Sequence, residues 1–158
     1  MNSSKFALQQ GQTVLVAGSR FPFKGHLDII NKIADRMQAI GASLICGDAR
    51  GIDTLIAVAC VQRGIPVHVY GIGNGPRREF QQALSGYTFR YTRISTPNMS
   101  LRKKFEIRDF RMNDDANFRI FLWNGQRKSG GTFQGWAYSV RQGYPATLYN
   151  RNKRIDRF

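Results

Sequence analysis

At 158 residues the chain is long enough to bury one ordinary core without disulfides or a structural metal, and its length argues against two domains. No run of about 18 apolar residues is present to span a bilayer, and the start MNSSKFALQQ lacks the apolar stretch of a secretory signal, so the sequence predicts a cytoplasmic protein with no membrane partner. Lys and Arg total 24 against 10 Asp and Glu, a formal charge of +14 that suits an anionic partner such as a polyphosphate, a nucleotide or a nucleic acid.

Thr13 to Ala17 (TVLVA) is a short β-branched run stopped by Gly18-Ser19-Arg20, the pattern of a buried parallel strand opening into a loop. Residues 26 to 40 space Leu27, Ile30, Ile33, Ala34, Met37 and Ile40 as one face of a helix, with Gly41 as its stop. ASLIC reads as a second strand, Gly47 to Asp53 as a glycine-containing turn, and the apolar face through Leu55 and Ala59 as a helix ending by Gly64 and Pro66. Val67 to Tyr70 is a third strand. Residues 71 to 99 are irregular, with a short helix expected over PRREFQQAL. A basic helix over 100 to 116, carrying Leu101, Phe105 and Met112 on one side, precedes the strand Phe118 to Trp123. The loop NGQRKSGG, a helix from Thr132 to Gln142 and a last strand PATLY follow.

Strands alternating with helices of this length predict an α/β fold: a single domain with a mostly parallel sheet and helices on both faces. The core is expected over about 13 to 149, with 150 to 158 as a basic C-terminal tail. The positive charge gathers in LRKKFEIRDFR (101 to 111) and RNKRIDR (151 to 157), which suits either a solvated face or a nucleic-acid patch. Cys46 and Cys60 lie in apolar surroundings and read as buried free thiols. With His26 and His68 they form no ligand-spaced pair, so neither a metal nor any other cofactor is predicted.

In folds of this class ligands sit beyond the carboxyl ends of the strands, where free N–H groups of helix amino termini point outward. Gly18 lets backbone approach a phosphate there, while Ser19 and Arg20 supply a hydroxyl and a cation. Gly47, Asp48, Gly51 and Asp53 follow the second strand, where Asp53 also suits a helix cap. Ser129, Gly130, Gly131 and Thr132 follow the Phe118 to Trp123 strand and open another helix. All three turns lie after a strand, so they are expected to converge on one anion-binding edge. Trp123 and Trp136 flank the third loop and fit either base stacking or the core.

The segments VLVAGSR, GASLICGDARGIDTLIAVACVQRGIPVHVY and RDFRMNDDANFRIFLWNGQRKSGGTFQGWAYSVRQGYP resemble the SLOG superfamily, especially its small YspA-like members, over most of residues 13 to 149. The resemblance implies a Rossmann-like domain. DNA processing protein A belongs to the same superfamily, and its GSR and ARGID-like turns are similar to Gly18 to Arg20 and Gly47 to Asp53. In the related lonely guy phosphoribohydrolases, an Arg-Lys-x-x-Met helix is similar to Arg108 to Met112 and a Gly-Thr loop to Gly130 to Thr132. This adds Arg108 to the candidate site, against the plain alternative of a solvated side chain.

Those hydrolases, like nucleoside deoxyribosyltransferases, carry a glutamate three or four residues past the Gly-Thr pair, where Gly135 stands here. Neither Gln134 nor Gly135 can ionise to attack, or activate water at, a glycosidic carbon. Glu79, Glu106, Asp48, Asp53 and Asp109 could stand in, though each also suits a cap or ion pair. The first expectation is therefore a sensor or carrier of a nucleotide or nucleotide-derived small molecule. An N-glycosidic hydrolase or transferase and a single-stranded nucleic-acid binder are the alternatives. The catalytic residues stay unassigned, and homo-oligomerisation stays open.

Overall fold

The computed structural model describes residues 10–126 and 130–157. β1 (Thr13–Gly18), α1 (His26–Ala39), β2 (Ser43–Cys46), α2 (Ile52–Gln62) and β3 (Val67–Gly71) alternate as the sequence predicts, followed by α3 (Arg78–Ala83) and β4 (Arg90–Arg93). The chain continues through α4 (Leu101–Asp115), β5 (Phe118–Trp123), α5 (Gly131–Gln142), β6 (Ala146–Asn150) and β7 (Lys153–Arg157). Seven strands form one sheet in the order β4-β3-β2-β1-β5-β6-β7, parallel throughout except for the β6–β7 pair. The strand order reverses direction between β1 and β5, which makes that boundary the topological switch point.

The apolar periodicities are satisfied on both faces of the sheet. Ile30, Ala34 and Met37 of α1, Ile56 and Cys60 of α2, and Phe80 of α3 pack with Val14, Val16, Leu44 and Val69 on one face. Met112 of α4 and Trp136 of α5 pack with Leu15, Ile45, Phe121, Trp123 and Leu148 on the other. Both tryptophans are core residues, at 6% and 8% exposure. Cys46 and Cys60 are buried free thiols.

Two segments depart from the sequence reading. The basic tail expected over 150 to 158 is, over its described residues, an ordered strand: Lys153–Arg157 pairs antiparallel with β6, Ile155 packs on the core and the Thr147 hydroxyl donates to Asp156. An edge strand keeps one side in water, so its four charged residues are compatible with pairing. β4 is the other addition, a polar edge strand in the irregular stretch, paired with β3 from His68↔Arg90 to Gly71↔Arg93.

Arg119 lies inside β5 yet is 3% exposed. Its guanidinium donates to the carbonyls of Asn113 and Ala116 at the carboxyl end of α4 and lies 4.0 Å from the Tyr144 ring centroid. The last carbonyls of a helix have no partner within it, so this side chain satisfies them and anchors α4 to the sheet. That anchorage positions Arg108. Among the described residues, no helix is long and apolar enough to cross a membrane.

Candidate functional site

A cavity of about 800 Å³ opens beyond the carboxyl ends of β1 and β5. Gly18, Ser19 and Arg20 line it from the first turn, Asp53 from the second, Arg108 from α4, and Gly130, Gly131 and Thr132 from the third. Gly47 and Gly51 lie behind this wall, and Asp48 faces an adjoining cleft. Ser129 falls outside the described residues. The three turns thus share one edge.

The first two turns are locked by contact rather than left open. A Cβ on Gly18 would overlap the Ile52 side chain, and one on Gly51 would lie 2.5 Å from the carbonyl oxygens of Ser19 and Arg20. Gly51 also holds φ 84°, ψ −130°, a conformation essentially restricted to glycine. The Ile52 N–H donates to the Ser19 carbonyl, and the Ser19 hydroxyl oxygen accepts from the Asn124 N–H at 3.1 Å. Gly18 and Gly51 therefore bring backbone to backbone, and Ser19 ties the first turn to the third.

The third turn is different. Among the described residues, a Cβ on Gly131 would meet only an Asp109 oxygen, at 3.4 Å, and no side-chain hydrogen bond caps α5. The first N–H groups of a helix have no acceptor within it, and Gly130, Gly131 and Thr132 border the cavity.

Arg108 is 5% exposed, so the solvated alternative does not hold. Its Nε donates to Asp109 at 2.7 Å, and its Nη1 to Asp48 at 3.1 Å and to the Tyr70 carbonyl at 3.2 Å. Burial opposes its charge, but Asp109, Asp53 and Asp48 more than offset this and hold the guanidinium above its ordinary value. Arg108 thereby organises carboxylates, with much of its donor capacity already committed. Asp48 also accepts the Arg77 backbone N–H and Nε, both at 3.0 Å.

Asp53 does not cap α2. Its Oδ2 accepts the Ala49 N–H at 3.1 Å and braces the second turn, while Gly51 occupies the cap position. Burial pushes the Asp53 carboxyl up to about 7, with Arg108 and the Ala49 hydrogen bond pulling the other way. Burial raises Asp109 as well, against the adjacent Arg108 charge. The native state therefore holds a proton on Asp53 that the unfolded chain releases near its ordinary value of 3.8. This stabilisation is full below about pH 4 and is lost as pH rises through about 7. Asp53→Asn keeps an acceptor for Ala49 and removes the titration. It is expected to raise stability at pH 8 by on the order of 2 kcal/mol and to flatten the pH 4 to 8 profile, read by urea unfolding. An unchanged slope would exclude Asp53 as its source.

The remaining walls are largely apolar: Leu15, Phe105, Met112, Phe121 and Trp123. Gly135 lies among them, where a Cβ would come within 2.9 Å of the Phe121 ring. The packing thus leaves no ready room for the glutamate of the hydrolases. Of the proposed stand-in carboxylates, Asp53, Glu106 and Asp109 border the cavity, whereas Asp48 and Glu79 border the neighbouring cleft.

Several residues at this edge are not singled out by the sequence reading. Phe21, 63% exposed, lines the cavity mouth beneath the Arg50 guanidinium, 4.7 Å from the ring centroid. Arg77 borders both hollows and lies 4.4 Å from the Phe105 centroid. The side chain of Asn113 is buried at the wall, and its Oδ1 has no hydrogen-bond partner among the described residues. Phe21 follows GSR directly and was legible as an aromatic in a ligand loop, but nothing local marks Arg77 or Asn113.

No protein-family model and no curated protein matches the sequence. Its structure is similar to DNA processing protein A from Streptococcus pneumoniae, with TM-score 0.67 and 17% identity over 93% of this chain and 52% of that one. DNA processing protein A from Helicobacter pylori, described by its single-stranded DNA binding mode, gives TM-score 0.66 and 14% identity over 88% of this chain and 65% of that one. The molybdenum cofactor carrier protein from Chlamydomonas reinhardtii gives TM-score 0.59 and 14% identity over 88% and 76%. The chain spans between about half and two-thirds of the length of those two DNA processing proteins. The likenesses bear out the Rossmann-like α/β fold implied by the sequence.

Proposed function

We propose that this Rossmann-like domain binds a nucleotide or nucleotide-derived phosphorylated ligand at the switch point between β1 and β5, as a sensor or carrier. The observation that carries this reading is the cavity itself, of a size suited to a small molecule, with apolar walls and, on one side, the start of α5, which no side chain caps among the described residues. An apolar slot accepts a nucleoside, and bare N–H groups at a helix start accept a phosphate. The sensor or carrier role needs no catalytic group, in keeping with Gly135. The glycosidic alternative has to run through another carboxylate, for which Asp53, Glu106 and Asp109 are the candidates at the cavity.

Mass spectrometry of small molecules released from the purified, denatured protein tests the ligand class directly. Gly131→Glu then tests the locus. It points a carboxylate at the proposed phosphate position and is expected to weaken nucleotide binding by about tenfold or more in titration calorimetry. Arg36→Gln, in the last turn of α1, makes the same one-unit charge change toward the opposite edge and is expected to leave affinity within about twofold at physiological salt. Equal losses would remove the third turn from the site.

A second reading is favoured by Phe21. An exposed aromatic beside an arginine, at the mouth of a site in a chain of formal charge +14, suits stacking with a base of single-stranded nucleic acid. The similar protein from Helicobacter pylori is described as binding single-stranded DNA, in line with this alternative.

A further inference from the structure

Within the main cavity Arg20, Arg77, Arg102 and Arg108 are set against Asp53, Glu106 and Asp109, so its charges nearly balance. The adjoining cleft differs. It holds about 250 Å³ between Arg20, Asp48, Arg50, Arg77, Arg78 and Glu79, and it shares Arg20 and Arg77 with the cavity. Asp48 is 3% exposed and already shared by Arg77 and Arg108, which leaves Glu79 as the one other acid lining the cleft beside Arg20, Arg50 and Arg78 among the described residues.

These arginines are more than a solvated patch. Arg77 is held through its backbone N–H and Nε on a buried carboxylate and rests on the Phe105 ring. Its Nη groups make no hydrogen bond among the described residues, so a rigid guanidinium presents free donors to the cleft. Arg20 and Arg78 likewise have no ion-pair partner among the described residues, and Arg50 is steadied by Phe21. A pre-oriented planar fork flanked by further guanidinium groups is suited to phosphoryl oxygens.

We infer that this cleft is a second anion subsite, so that the ligand is a nucleotide bearing two separated phosphoryl groups, of which a phosphodiester-linked dinucleotide is the simplest form. The inference rests on the proposal that the main cavity takes a nucleoside. One phosphoryl group meets the start of α5, the nucleoside lies against the apolar walls, and the second phosphoryl group crosses the shared wall of Arg20 and Arg77 into the cleft. Phe21 at the mouth offers a surface for the second base.

Titration calorimetry with adenosine monophosphate, the 5′-phosphorylated dinucleotide pApA and inorganic pyrophosphate tests this. On the unmodified protein pApA is expected to bind at least about tenfold more tightly than the mononucleotide, the scale of one charge-assisted contact set. The double variant Arg50→Ala, Arg78→Ala should lose that margin while leaving the mononucleotide unchanged, and Arg36→Ala should leave both unchanged. Both substitutions in the double variant fall on exposed side chains without ion pairs, so folding is expected to persist. Equal affinities for pApA and the mononucleotide, or a margin that survives in the double variant, would overturn the subsite. If neither nucleotide binds but pyrophosphate binds and is lost in the double variant, the nucleoside reading fails and the subsite stands. If none of the three probes binds, both fail. A 20-mer of deoxyadenylate distinguishes the source of the phosphodiester: tighter binding than pApA with a steep salt dependence indicates a strand, and equal or weaker binding a free dinucleotide.

Discussion

Arg108→Met is expected to destabilise the domain by about 3–5 kcal/mol at pH 7, the scale for removing one partner from a buried charge cluster. Methionine retains much of the stem packing, so the loss is chiefly electrostatic. Asp109 would lose its charge partner, and the 3%-exposed Asp48 would keep only Arg77. Asp53, already pushed up to about 7, would lose the cation that most opposes its burial. The sign of the pH dependence follows. Carboxyls left without a cation bind protons more tightly in the native state, so the penalty is full at neutral pH and shrinks as pH falls toward 4. Urea unfolding at pH 7 and pH 4 checks this. A loss under about 1 kcal/mol, or one equal at both pH values, would show that Arg108 contributes by packing alone.

The second large effect is at Gly51. Gly51→Ala is expected to cost about 3 kcal/mol or more, because it combines a glycine-only backbone conformation with a clash against two carbonyl oxygens. Neither oxygen can swing away: the Ser19 carbonyl already accepts from Ile52, and the Arg20 carbonyl belongs to the same short turn. Relief would have to separate the first two turns, so nucleotide affinity should fall with stability. Gly64→Ala is the matched control. It also has positive φ, at 71°, but its Cβ would meet nothing within 4 Å, so about 1 kcal/mol of backbone strain is expected. Thermal unfolding of the pair isolates the contribution of the turn-to-turn contact, and equal losses would show that it contributes nothing.

The glycines show how far local reading reaches. Gly18, Gly51 and Gly131 look alike in sequence, each in a turn after a strand, and all suggest close approach to a phosphate. The structure separates them. Ile52 and two carbonyls crowd the first two, whereas among the described residues a Cβ on Gly131 meets no atom closer than 3.4 Å. Which atoms come near a missing Cβ is a property of two segments meeting, and neither segment encodes it alone.

Periodicity and punctuation in the chain itself determine the α/β order, the strands β1, β2, β3, β5 and β6, the helices α1, α2, α4 and α5, and the shared edge of the three turns. Each of these depends on near neighbours: β-branched runs, helical spacing of apolar side chains, and glycine or proline at the breaks. The edge strands β4 and β7 were decided by tertiary structure, because RYTR and KRIDR carry little apolar pattern and pair only where a neighbouring strand presents free backbone groups. The same holds for Arg108, Arg119 and Arg77. As residues they read as solvated cations. Asp48 reaches Arg77 and Arg108 from a distant turn, and although Asp109, Asn113 and Ala116 are near in sequence to the arginines they meet, Arg108 and Arg119 are buried only where α4 packs on the sheet. Burial of a charge requires partners from several elements at once, and that coincidence exists only after the sheet and its helices have packed.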